Sequence, residues 1–174
     1  MKKLAMVAAV VGVAGMALAQ NDTFDVPSNL GVRLGIGYSL DDDTRDLIGD
    51  GLLGVGFDYT FDESLLPQGE TYLSIDWLGE GISGDKGNIF PIFINQRFFT
   101  SDVTERFQGN RSYYFVGVGG AIIDVTSTAS VLAVRGGLGY ELGEHVFVEG
   151  ALVLSDIDAD TRATSIGGYV GYRF

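Results

Sequence analysis

A single histidine, 23 carboxylates and no cysteine bound the chemistry open to this 174-residue chain. Without cysteine there is no thiolate nucleophile, no disulfide framework and no lipid-modified cysteine. A histidine acting as general base needs a nucleophile or an activated water beside it. His145 follows Gly143 and Glu144, with no serine adjacent, and reads as a turn residue. No P-loop, HExxH or GxSxG pattern occurs. The "GVGGA" run at 117–121 lacks the helix and acidic partner of a dinucleotide fingerprint. No catalytic residue, no cofactor and no enzymatic activity are expected.

The carboxylates fall into two kinds of place. Asp41, Asp42 and Asp43 are consecutive, and Asp156, Asp158 and Asp160 alternate in "SDIDADT". Hard cations take several carboxylate oxygens, so divalent cations bridging to anionic surface glycolipid are one reading of these loops. The full calcium-loop pattern is absent, which favours solvated acidic loops and no protein metal site. The formal net charge of −12 provides no basic stripe and excludes nucleic acid as a partner.

The remaining charges keep a strict phase. Arg33, Asp58, Asp76, Arg97, Arg135, Glu141, Glu149 and Arg173, with Glu70 at a strand start, each stand at a position whose sequence neighbours are mostly apolar. A period of two belongs to strands. Eight segments carry it: Leu30 to Leu40, Leu52 to Phe61, Glu70 to Leu78, Ile89 to Phe98, Ser112 to Ile123, Val131 to Leu142, His145 to Leu154, and Ala163 to Phe174. In each, one face is apolar and aromatic; the other is small, polar and in places charged. A slip of one residue would move every charge to the opposite face. Pro91 lacks an N–H and calls for an edge-like or bulged position in the fourth segment. Leu142 to His145, with glycine at its second position, fits a two-residue type II′ hairpin. No window sustains a helical period. The 26 glycines, about twice the usual share, are spread through the alternating segments as expected on a crowded face.

Ahead of these lies a secretory signal: Lys2 and Lys3, the apolar "LAMVAAVVGVAGM" from Leu4 to Met16, and an A-x-A site at Ala17 to Ala19. Two domains follow, a signal peptide at 1–19 and a barrel at 20–174. The mature chain keeps 9 basic residues against 23 acidic, a net of −14. The connections on one side (41–51, 79–88, 124–130 and 155–162) hold −8 of that charge. "DESLLPQG" and "TSDVTERFQGNR" lie on the other side. Phe61, Phe98, Tyr140 and Phe174 gather at one end of the strands, and Trp77, Tyr38 and Phe90 at the other, as two aromatic girdles would.

Export, an even strand number and paired girdles favour an eight-stranded antiparallel up-and-down transmembrane β-barrel over a soluble one. The closing "GYVGYRF" resembles the last strand of bacterial outer-membrane barrels, and the mature chain resembles the small OmpA/OmpX type. That resemblance implies an outer-membrane location, membrane lipid as surroundings, and Tyr172 and Phe174 as part of the signal read by the barrel-insertion machinery. An eight-stranded barrel is filled by side chains. The charged face therefore reads as a lumen plugged by arginine–carboxylate pairs, in a monomer with a structural, envelope-integrity or surface-adhesion role. The alternatives are a small-solute or ion pore or binding barrel, and third, a lipid-modifying barrel enzyme.

Overall fold

Alternation of this kind leaves each strand with one face that must be covered and one that must meet its surroundings. In the computed structural model, which describes residues 29–80, 87–100, 111–125, 128–158 and 161–174, the strands solve this by closing on themselves. They are β1 (Leu30–Ser39), β2 (Gly51–Thr60), β3 (Glu70–Gly79), β4 (Asn88–Phe99), β5 (Ser112–Asp124), β6 (Thr128–Leu142), β7 (Val146–Ser155) and β8 (Ser165–Arg173). Each pairs antiparallel with its sequence neighbour, and β8 returns to β1, with Arg33 opposite Gly171. The signal segment, residues 101–110 and Asp160 lie outside the described residues.

The registers stagger the strands by ten residues in one circuit of the wall. With a rise of about 3.3 Å per residue and a spacing of about 4.8 Å, that stagger tilts the strands by about 40° and gives a backbone radius of about 8 Å. Little room is left inside for anything but side chains.

Three expectations need correction. Pro91 sits in neither an edge nor a bulge. Its ladder to β5 is unbroken at Ala121, while the ladder to β3 resumes in the same register after a gap at positions 76–77 and 90–91. The missing N–H therefore costs a local opening and no shift of register. The β6–β7 hairpin holds three residues, because Leu142 pairs with Val146 and Gly143 takes φ +82°. Directly paired residues share a face, so a two-residue loop would have turned Phe147 and Glu149 outward. The first acidic loop contains a short helix, α1 (Asp42–Ile48). Asp41 caps it, accepting from the Thr44 N–H at 3.0 Å and its hydroxyl at 2.7 Å; Gly49 closes it at φ +95°, donating to the Arg45 carbonyl.

The interior is divided along its length. At the end carrying α1 it is apolar: Leu52, Leu78, Ile89, Ala121, Ile123 and Val131 pack together, and Ile48 of α1 is fully buried among them. Farther down it is charged and aromatic. The small inner-face residues leave room for that content. A Cβ on Gly139 would lie 2.0 Å from the Tyr113 ring, and one on Gly171 would lie 2.1 Å from Phe147.

Candidate functional site

The charged half of the interior is where side chains able to do chemistry converge. Arg33 on β1 is its centre. Its Nε and Nη2 donate to Asp76 of β3 at 2.9 and 2.8 Å, and its Nη1 lies 3.1 Å from Glu149 of β7 and 3.2 Å from Asp58 of β2. Arg135 of β6 donates to the same Glu149 oxygen at 2.7 Å, to Asp76 at 3.3 Å and to the Ser74 hydroxyl at 3.1 Å. Tyr113 donates to the other Glu149 oxygen at 3.2 Å. Two guanidiniums thus face three carboxylates, drawn from five strands, all buried. Gly56 makes this possible: a Cβ there would stand 2.0 Å from Asp76 Oδ1 and 2.7 Å from Arg33 Nε.

A second layer lies toward the chain termini. Arg97 of β4 pairs with Glu70 at 3.2 Å and lies over the Tyr72 and Tyr113 rings, 4.3 and 4.9 Å from their centroids. Glu141 of β6 receives Arg111 at 2.7 Å through one oxygen and Arg173 through the other. Arg111 lies 3.9 Å over the Phe99 ring, and Arg173 lies 4.3 Å over Phe147. Each guanidinium has an aromatic face beneath it, which desolvated cations favour. The two layers together hold five arginines and five carboxylates, so the described interior is electrically neutral.

Arg111 is the residue the sequence reading left out. It immediately precedes β5 and belongs by phase to the inner face, but it sits at the end of a polar stretch that reads as loop. The signal was there: carrying the alternation of Tyr113 and Phe115 back two positions reaches Arg111.

The other sequence candidates lie elsewhere. Asp41 caps α1, and Asp42 pairs with Arg45. Asp43 is exposed. Asp156 accepts from the Ile157 N–H, and Asp158 accepts from the Ser130 N–H at 3.4 Å across to β6. Among the described residues no three carboxylates or histidines converge as a metal would require. His145 stacks on Tyr172 at 5.1 Å, and Tyr172 meets Phe174 edge-on at 5.1 Å. These rings join Tyr59, Phe61, Phe98 and Tyr114 in aromatic contacts at the same end of the barrel.

The backbone has known counterparts. The N-terminal β-barrel domain of Pseudomonas aeruginosa OprF is similar over 83% of this chain and 96% of that one, with a TM-score of 0.52 and 14% identity. The Yersinia pestis outer membrane protein Ail, solved in a phospholipid bilayer nanodisc, is similar over 83% and 98%, with a TM-score of 0.51 and 13% identity. At such identities the likeness is one of fold: this chain is a small eight-stranded antiparallel barrel of the kind found in outer membranes. No protein-family model and no curated sequence matches it.

Proposed function

We propose that the chain is an integral outer-membrane protein whose closed barrel serves the envelope structurally or as a surface adhesin, and neither conducts nor catalyses. The observation that carries the reading is the inversion of the usual distribution. Ile36 is 73% exposed on the outer wall, Leu138 70% and Val118 67%, while ten ionised side chains lie inside. Water would reverse that arrangement; hydrocarbon requires it, and a closed strand ladder is one of two ways a chain can cross it.

The same geometry supports a plug. Paired charges, neutral only in sum, fill the charged half, and an apolar cluster sealed by Ile48 fills the other. A permeating ion would have to part buried pairs and then cross that cluster. Bilayer recordings on purified protein test this: no steady openings are expected, and large sustained conductance would overturn it. An unchanged lipid A acylation pattern on deletion is expected of a non-enzymatic barrel; an altered pattern would favour a lipid-modifying activity.

A further inference from the structure

We infer that residues 62–69, in the connection from β2 to β3, form a strap on the outside of the barrel that seats Leu65 and Leu66 in the acyl–glycerol boundary of the leaflet nearest Phe174. The inference rests on the outer-membrane reading above.

It begins from two residues on the wrong face. Thr71 and Gln96 are paired directly across β3 and β4. By phase they point outward with Leu73, Ile75, Ile92 and Ile94. A primary amide on a lipid-facing wall is costly unless its hydrogen bonds are met. Yet Thr71 is 2% exposed and Gln96 7%, so something covers them.

The cover is the strap. The Thr71 hydroxyl donates to Gln96 Oε1 at 2.7 Å and accepts the Leu65 N–H at 2.7 Å. The Gln96 amide nitrogen donates to the Ser64 hydroxyl at 2.9 Å and to the Gln68 carbonyl at 3.2 Å. A connection that merely rounded the barrel's rim could not reach these atoms. The segment therefore lies flat against the outer wall. Pro67 has no N–H to satisfy, and that of Leu65 is already taken, so these two positions ask nothing of water.

With Ser64 Oγ, the Leu65 N–H and the Gln68 carbonyl turned to the wall, the strap turns its leucines away. Leu65 is 74% exposed and Leu66 47%. On one side of it the Tyr59 and Phe61 rings meet at 5.6 Å, and on the other Phe98 stacks on Tyr114 at 5.0 Å. Such rings mark the level of the membrane interface. Two leucines at that level, outside the wall, meet phospholipid; the exposed Asp62 and Glu63 beside them stay on the watery side.

The test uses single tryptophans. Trp77 is the only native one, so Trp77→Phe gives a silent background. Leu65→Trp and Leu66→Trp report the strap, Val118→Trp the middle of the wall and Asp43→Trp the loop that holds α1. Each is folded into phosphatidylcholine vesicles whose acyl chains carry bromine near the glycerol end or, for Val118→Trp, near the methyl end. The expected result is emission from Leu65→Trp and Leu66→Trp shifted to the blue of Asp43→Trp and quenched at least twofold by bromine. Emission and quenching like those of Asp43→Trp, with Val118→Trp quenched, would overturn the strap and leave the membrane reading standing. A blue shift without bromine quenching would mean burial against protein, and would overturn the lipid assignment. Failure of bromine to quench Val118→Trp would sink the membrane reading, and the strap with it.

Discussion

Replacing Arg33 with methionine removes the guanidinium that touches three carboxylates: Asp76 at 2.8 Å, Glu149 at 3.1 Å and Asp58 at 3.2 Å. Methionine keeps much of the aliphatic stem, so the loss is electrostatic and leaves little cavity. Arg135 then faces all three alone, and it reaches only Asp76 and Glu149. Asp58, almost wholly buried, has no other ion pair among the described residues. Breaking a buried pair costs about 3–5 kcal/mol, a large part of the about 5–15 kcal/mol that holds a typical domain together. Asp76→Asn makes the informative comparison. It leaves two guanidiniums facing two carboxylates, and the asparagine carbonyl still accepts from Arg33. Its cost is that of weakened charge-assisted hydrogen bonds, about 1.5–3 kcal/mol. Urea unfolding from phospholipid vesicles, followed by Trp77 fluorescence, measures both. Arg33→Met is expected to be the worse by about 1–2 kcal/mol on these principles. A loss under about 1 kcal/mol for Arg33→Met, against the usual cost of orphaning a buried charge, would refute the reasoning. So would a larger loss for Asp76→Asn.

Further outcomes follow from the same packing. Gly139→Ala drives a Cβ into the Tyr113 ring and is expected to cost about 1–3 kcal/mol, whereas Gly150→Ala, whose Cβ meets nothing within 4 Å, is expected to be neutral or to gain about 0.5–1 kcal/mol. The same urea titration separates them, and equal effects would contradict the space argument. Ile48→Ala unseats α1 from the apolar end at about 2–5 kcal/mol, and protease added to the protein folded in detergent should then cut between residues 41 and 51 faster than in the parent. An unchanged cutting rate would mean that Ile48 does not hold the helix. Glu141→Gln leaves Arg111 and Arg173 without their shared carboxylate and is expected to cost about 3–5 kcal/mol. Thermal unfolding in detergent measures it, and no shift in midpoint would deny the pair a structural role.

Much of this barrel was legible because its strands obey a period of two. A charge in phase with glycine and out of phase with leucine declares its face, and parity carries the assignment along the strand. Arg33, Asp58, Asp76, Arg97, Arg135 and Glu149 were placed on one face that way, though nothing local said that Arg33 would meet Asp76 and Glu149. Those contacts depend on the stagger of all the strands. The apolar interior at the α1 end was harder to see. Leu52, Leu78 and Ile89 sit at strand ends, where two or three residues are too few to show a phase. Helix α1 is seven residues long and spans less than two full turns of apolar pattern; only Asp41 and Thr44, at capping spacing, announced it. The strap was invisible, since Thr71 and Gln96 look like outward polar residues until the fold brings Ser64 and Gln68 over them.

The absence of native cysteine makes one measurement unusually direct. Val118→Cys, Asp43→Cys and Glu144→Cys place a lone thiol on the mid-wall and at the two ends of the barrel. With protein folded into vesicles, a membrane-impermeant maleimide should label at least one end thiol rapidly and leave the Val118 position unmodified until detergent is added. Labelling at Val118 as fast as at the ends would mean that water, and not hydrocarbon, lies against the outer wall.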